Sequence, residues 1–439
     1  MENDLRKIIK EIFLAGVNIV KPDVLIPHFV SLEKDVLIIE KHRFQLADIR
    51  NIFLIGAGKA SALMAQAMEN ILGPRITAGH IVTKYGHSVP LKYAEVTEAG
   101  HPVPDENGLR GTENIVSIVS RASEDDLVIC VISGGGSALL TDVPDACSLN
   151  DLKALTDLLL KSGANINEMN CIRKHLSKVK GGMLSHTAYP ARVVSLILSD
   201  VIGDPLDVIA SGPTAPDPTT FRDALGIIEK YGISDNVPGN IIEILNDGIL
   251  KKRKETLKES DEAFRLTTNL VIGNNSLALQ KAKEKAEAYG YSAKIITNAI
   301  RSDVSDAADF IFSSLVKLKN ENAGIKSCLL FGGEPTIKIT GNGLGGRNQH
   351  LALLMAEKLK DLRGVIFLAG GTDGTDGPTD AAGAIADPGT VKRSEILGLD
   401  IKKFISDCDS NNFFRQEGGL IITGPTQTNV MDLMIVLIN

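Results

Sequence analysis

Short runs of Val, Ile and Leu, several ending in glycine, recur along this chain between amphipathic stretches of helical period. That alternation limits the fold more than any single motif. The runs NIFLIGAG, LVICVISGGG, RVVSLILSD, LVIGNN, CLLFGGE and VIFLAGGTDG put apolar residues on both faces, as strands do when helices cover a sheet on two sides. The rhythm predicts βα units around mostly parallel sheets, hence an α/β fold. Ligands in such sheets gather at the carboxyl ends of the strands, so the glycine-rich exits are the places to look for chemistry.

A chain of 439 residues is long enough for two or three domains at roughly 150 residues each. A first, Rossmann-like αβα sandwich is expected over residues 1–230, its sheet drawn from runs near 52–55, 80–83, 94–97, 127–132 and 193–198. A second, smaller α/β domain is expected over 231–404, from runs near 270–273, 293–297, 328–331, 335–339 and 365–369. The stretch from Asp217 to Arg265 reads as polar surface helix, and the final run LMIVLIN within 405–439 is a candidate to return to the first sheet.

Composition removes whole classes of function. Hydrophobic residues make up 44% and charged residues 23%, ordinary globular usage. A formal charge of −7 without a basic stripe argues against nucleic acid as a partner. No apolar run approaches the ~20 residues that span a bilayer, and the opening MENDLRKIIKEIFLAGV lacks a secretion-signal pattern. No membrane partner is expected. Five cysteines without a CxxC pair fit a reducing cytoplasm, and eight histidines without HxxxH argue against zinc.

Four loops in the first half carry candidates. Gly56-Ala57-Gly58-Lys59-Ala60-Ser61 follows an apolar strand and enters a helix, so backbone N–H groups and Lys59 can meet an anion there. The following strand ends without the Asp or Glu that holds a ribose, which demotes a nicotinamide dehydrogenase. Ser133-Gly134-Gly135-Gly136-Ser137 reads as an oxyanion nest; Leu139 stands where a hydrolase elbow needs glycine, so Ser137 is not read as a nucleophile. Arg173, Ser177 and Lys180 are spaced to share a helix face and could neutralise a polyanion, while His175 and Lys178 read as ordinary charged helix. His101, between prolines, reads as a fixed loop residue rather than a base. Asp200 ends the strand LILSD, where a carboxylate can hold Mg²⁺ with few other protein ligands.

In the second half, Glu334 follows Gly332-Gly333, and Arg347-Asn348 opens a helix after Gly343-Leu344-Gly345-Gly346. A guanidinium at a helix start suits bidentate capture of phosphate or carboxylate. Asp373, Asp376 and Asp380 follow VIFLAGG; Asp373 and Asp376 join Asp200 as candidate ligands for Mg²⁺ or another divalent cation, and the EF-hand pattern is absent. Anion cradles, strong cations and carboxylates are the parts that phosphoryl transfer uses. No P-loop and no protein-kinase motif is present.

Seven segments in this order, GAGKAS, EAGHPVPDENG, ISGGGSALL, NEMNCIRKHLSKVKGG, LSDVIGDPLDVIASGPT, GGEPTIKITGNGLGGRNQ and GGTDGTDGPTDAAGA, resemble the class II glycerate kinases, also called the MOFRL family, over nearly the whole chain. The resemblance implies two α/β domains with the active site in the cleft between them. It implies ATP-dependent phosphorylation of D-glycerate, in archaeal members at the 2-hydroxyl within a branched Entner–Doudoroff route. It also implies that Lys59 and Arg347 act in binding and catalysis. Gly58, Ser61, Ser133, Gly134, Gly135, Gly136, Ser137, Arg173, Lys180, Glu334, Asn348 and Asp373 are the residues expected around substrate and phosphate. Phosphorylation at the 3-hydroxyl and a nicotinamide-dependent hydroxypyruvate oxidoreductase stay open as alternatives, and a homodimer is compatible with the sequence.

Overall fold

A computed structural model of the protein describes residues 2–321 and 324–439. Strands β1 (Val30–Glu33), β2 (Val36–Ile39) and β3 (His42–Gln45) make a small antiparallel meander. A six-stranded sheet follows, built from β4 (Ile52–Ala57), β5 (Ile76–Lys84), β6 (Glu95–Ala99), β7 (Leu127–Ile132), β8 (Arg192–Leu198) and β9 (Thr267–Gly273) in the order β6-β5-β4-β7-β8-β9. The pairings β6–β5, β5–β4, β4–β7 and β7–β8 are all parallel. Every residue of β4 and β7 is buried, as the two-sided apolar runs predict.

The second six-stranded sheet uses β10 (Ser292–Ile300), β11 (Ser327–Gly333), β12 (Val365–Gly371), β13 (Gly383–Ala386), β14 (Leu420–Ile421) and β15 (Asp432–Ile438), in the order β10-β11-β15-β12-β13-β14. Only β10–β11 is parallel; β15 runs antiparallel to both β11 and β12. By contacts the chain forms two compact units, Leu25–Ile272 on one hand and Met1–Val24 with Gly273–Asn439 on the other.

Several sequence expectations are corrected here. The last strand does not return to the first sheet: β15 is the central strand of the second, its residues buried throughout, because only that position covers both faces of so apolar a run. The boundary is not near residue 230. Helices Phe221–Lys230 and Gly239–Ile249 pack with Leu149–Lys161 and Ile166–His175 around Leu155, Leu159, Ile172, Phe221, Ile228 and Ile244, and β9 extends the first sheet beside β8. The second sheet is mixed rather than mostly parallel, and the run at 335–339 forms no strand beyond an isolated bridge between Thr336 and Asp303.

Local signals explain the helix starts. Ser148 with Asp151, Asn165 with Glu168, and Thr220 with Asp223 each close a capping box, satisfying two otherwise orphaned backbone donors. No single helix among the described residues is long and apolar enough to cross a membrane. All five cysteines are free thiols.

Candidate active site

In the unit Leu25–Ile272, β4 and β7 lie side by side in register, so the loops leaving their carboxyl ends emerge together. They are fastened by hydrogen bonds: Lys59 N–H donates to the Gly134 carbonyl at 2.9 Å and Ala60 N–H to Ser133 Oγ at 3.0 Å. Ser61 Oγ lies 3.1 Å from Ser133 Oγ. These two hydroxyls therefore hold the loops together instead of standing free for a ligand. Gly58 has φ +140° and a side chain there would strike Ser133, its Cβ falling 2.1 Å from Oγ; only glycine fits.

The cradle itself is backbone. Among the described residues, the N–H groups of Gly134 and Gly135 meet no protein acceptor, and two adjacent open donors form an anion-binding concavity. A Cβ on Gly134 would lie 1.9 Å from Asp200 Oδ2, and one on Gly135 would lie 2.9 Å from His101 Nε2 and 3.4 Å from Lys59 Cε. Lys59, His101 and Asp200 thus converge on this one turn. Burial, with the charges of Lys59 and Lys84 beside it, pushes His101 down to about 4, so its ring is neutral at physiological pH. Ser137 Oγ is 2.7 Å from Ser211 Oγ, and Ala210 and Ser211 both adopt positive φ, 51° and 61°. Strain at non-glycine residues of this kind collects at functional loops.

Arg173 and Lys180 do not share a helix face as their spacing predicted. The helix ends at His175, because Ser177 Oγ accepts from the N–H groups of Val179 and Lys180 and Gly181 and Gly182 turn at positive φ. The turn nevertheless brings both residues, with Ser137, to the wall of one pocket. Lys180 Nζ contacts the Leu140 carbonyl and lies 3.5 Å from Asp142 Oδ1. Lys178 is exposed and paired with Asp145, as an ordinary charged residue is expected to be, whereas His175 is buried against Glu255 at 2.8 Å.

In the other unit the centre is Arg347, first residue of the helix Arg347–Leu359. Its Nε donates to Asp432 Oδ2 at 2.6 Å and one terminal nitrogen to Asp432 Oδ1 at 3.2 Å, while the other meets Glu334 Oε1 at 2.8 Å. Asp432 begins β15 directly between Gly333 and Gly371. A Cβ on Gly371 would approach both Asp373 Oδ1, at 3.2 Å, and Asp432 Oδ1, at 3.4 Å, so these carboxylates flank one glycine. Burial works against the Arg347 charge, but Asp432, Glu334 and Asp376 outweigh it and raise its pKa. Burial also pushes Asp432 up to about 6 despite the arginine. The two shifts pull opposite ways for one ion pair; the guanidinium is about a third exposed and the carboxylate fully buried, so the carboxylate is the partner that gives up its charge first.

Asp376, expected as a metal ligand, is instead a helix cap. Its oxygens accept from Asn348 N at 3.0 Å, Gln349 N at 2.8 Å and Gln349 Nε2 at 3.0 Å, and an acidic group at a helix start is held there by the exposed N–H groups. Asn348 is thereby anchored from its N–H side, leaving its buried Oδ1 without a partner. Among the described residues no group of three or more His, Cys, Asp or Glu is placed to hold a metal. Asp200 lies just past the end of β8 and Asp373 just past the end of β12; a carboxylate at such a strand exit fits Mg²⁺ only where phosphate oxygens and water complete its shell.

Asp432 is the residue the sequence reading missed. Its signal was the same as that of Asp200, a lone carboxylate at the end of an apolar strand, but on an antiparallel strand that end is the first residue rather than the last.

Comparisons with known proteins give the family of the chain. Residues 8–246, more than half of the chain, match a domain of unknown function, DUF4147, and residues 327–432 match the MOFRL family. The chain is 44% identical to the D-glycerate 2-kinase of Thermotoga maritima, over 89% of this chain and 91% of that protein. It is 40% identical to the glycerate 2-kinase of Pyrococcus horikoshii, over 99% and 98%. The crystal structure of a Thermotoga maritima glycerate kinase superposes with a TM-score of 0.88 at 40% identity, covering 100% of both chains. Matches of this extent in sequence and in fold make the chain a member of the class II glycerate kinase family, with its DUF4147 and MOFRL segments.

Proposed function

We propose that this protein transfers the γ-phosphoryl group of ATP to the 2-hydroxyl of D-glycerate, releasing ADP and 2-phosphoglycerate. The observation that carries the reading is the turn at Gly134 and Gly135, where two open N–H donors, the Lys59 stem and the Asp200 carboxylate meet at the end of a parallel sheet in a chain of this family.

Phosphoryl transfer asks little covalent chemistry of the protein and much positioning and charge neutralisation. The open amides at Gly134 and Gly135 bind phosphate oxygens, and Lys59 adds a full positive charge beside them. Arg347, already fixed by Asp432 and Glu334, supplies a second permanent cation to the same reaction. Asp200 orients the acceptor hydroxyl as its oxygen attacks phosphorus and the bond to the ADP oxygen breaks. When bound, Mg²⁺ would neutralise phosphate charge, and Asp200 of one unit or Asp373 of the other would be a residue to hold it. A place in cytoplasmic carbohydrate metabolism, within a branched Entner–Doudoroff route, belongs to the same proposal.

The test is ADP release by the purified chain with ATP and Mg²⁺, measured with and without D-glycerate. Release that depends on D-glycerate supports the reading. Oxidation of NAD(P)H with hydroxypyruvate, without glycerate-dependent ADP release, overturns it.

A further inference from the structure

The pocket walled by Pro102, Pro104, Ser137, Leu155, Arg173 and Lys180 belongs wholly to the unit Leu25–Ile272 and is unexplained by the cradle alone. Its charges do not balance. The acidic group on its wall is Asp142, and that carboxylate is already engaged by Ser177 Oγ at 2.6 Å and by Lys180 Nζ at 3.5 Å. Arg173 is left over: among the described residues its guanidinium has no carboxylate and no hydrogen-bond acceptor. Burial depresses its pKa, yet an arginine stays protonated in proteins. The side chain is only partly buried, and a guanidinium open to solvent with no carboxylate beside it is placed to meet an entering anion.

Size and surroundings narrow the anion. The cavity volume is about 60 Å³, room for about four to six water-sized spheres, which excludes a nucleoside and admits a small acid. Its lining combines the aliphatic side chains of Leu155, Leu159 and Ile172 with the hydroxyl-bearing Ser137 and Ser177. Ser137 directly follows the Gly134–Gly136 turn, so a molecule seated at Arg173 would have its far end near the phosphate cradle.

We propose that this pocket is the acceptor subsite, in which Arg173 grips the carboxylate of a small hydroxy acid and Ser137 faces its hydroxyl end. The proposal rests on the phosphotransferase reading and names the group that selects its acceptor. It leaves Lys59 to the phosphoryl group.

The test is calorimetric titration of D-glycerate, and separately of inorganic phosphate, into the full chain without nucleotide, together with steady-state kinetics. Arg173→Lys keeps the charge but loses the bidentate fork, and Arg173→Ala loses both; Thr156→Phe narrows the pocket from its half-buried rim without touching a cation. The expected result is glycerate binding in the wild type and a KM for glycerate raised about tenfold to a hundredfold in Arg173→Ala, the range for losing a charged hydrogen bond. Arg173→Lys should fall between the two and Thr156→Phe should act in the same direction, with the KM for ATP within about twofold throughout. Should Arg173→Ala fail to fold, Arg173→Lys and Thr156→Phe decide alone. Unchanged glycerate binding in the variants, preference for inorganic phosphate over glycerate, or a rise confined to the KM for ATP overturns the subsite. Absence of any phosphorylated product in the wild type is a different outcome: it overturns the phosphotransferase reading, and the titration still decides whether Arg173 holds an acid.

Discussion

Asp432 Oδ2 lies 2.6 Å from Arg347 Nε, and this contact joins the first residue of one helix to the first residue of the last strand. The carboxylate is fully buried and the arginine about a third exposed. The pair fixes the direction in which the guanidinium presents its remaining face.

With Asp432 pushed up to about 6, its charge is lost as the pH drops through that value, and the grip on Arg347 loosens. We expect turnover to fall on the acid side with a midpoint near pH 6. Asp432→Asn should lower kcat about tenfold to a hundredfold, about 1.4 to 2.8 kcal/mol in the barrier, and should abolish that acid limb because nothing is left to titrate. A pH profile of kcat for both proteins checks this; an unchanged limb in the variant would assign it to another group.

Gly134→Ala places a Cβ 1.9 Å from Asp200 Oδ2. Either Asp200 moves or the turn does, and overpacking of this kind typically costs about 1 to 3 kcal/mol. The expected outcome is a lowered melting temperature and turnover reduced by at least about a hundredfold, beyond what the stability loss explains. Thermal melts beside steady-state rates measure both.

His175 sets a limit on alkaline stability. Burial alone would lower its pKa, but hydrogen bonds to the Cys171 carbonyl and to Glu255 overcome this and raise it to about 9. A group titrating higher when folded than when unfolded stabilises the fold fully below its unfolded pKa, about 6.5. That stabilisation is lost as pH rises through about 9. The melting temperature should therefore decline between about pH 6.5 and 9, and His175→Gln should flatten the decline. Parallel slopes in the two proteins would contradict the assignment.

Asp376→Ala removes the cap of the helix Arg347–Leu359. A lost cap costs about 0.5 to 2 kcal/mol, visible as a lower denaturation midpoint, while the dependence of rate on Mg²⁺ concentration should stay as in the wild type. A shifted metal dependence would restore Asp376 as a ligand.

The α/β class and the strands of the first sheet were legible because their runs are apolar on both faces and end in glycine, signals that local sequence carries. The loops at Lys59, Gly134 and Asp200 were legible for the same reason: strand-end chemistry is written within a few residues. Topology was not. That β15 inserts between β11 and β12 depends on pairings more than sixty residues apart in the chain, and no local pattern records them. The role of Asp376 was hidden because a capping carboxylate and a metal-binding one look alike until the helix start at Asn348 is in view. Arg173 and Lys180 were grouped correctly for the wrong reason, since a Ser177 turn, not a helical face, brings them together.

Phosphorus NMR, recorded with proton coupling, of the products formed from ATP, Mg²⁺ and D-glycerate by the wild type, Lys59→Ala and Arg347→Ala tests the phosphoryl transfer most directly. The predicted result is a new phosphate-ester signal split into a doublet by the lone proton on C2, with each variant folded and its rate reduced by about a hundredfold or more, as lost transition-state charge contacts require. A triplet from phosphorylation at C3, no ester at all, or near-normal rates in either variant would contradict it.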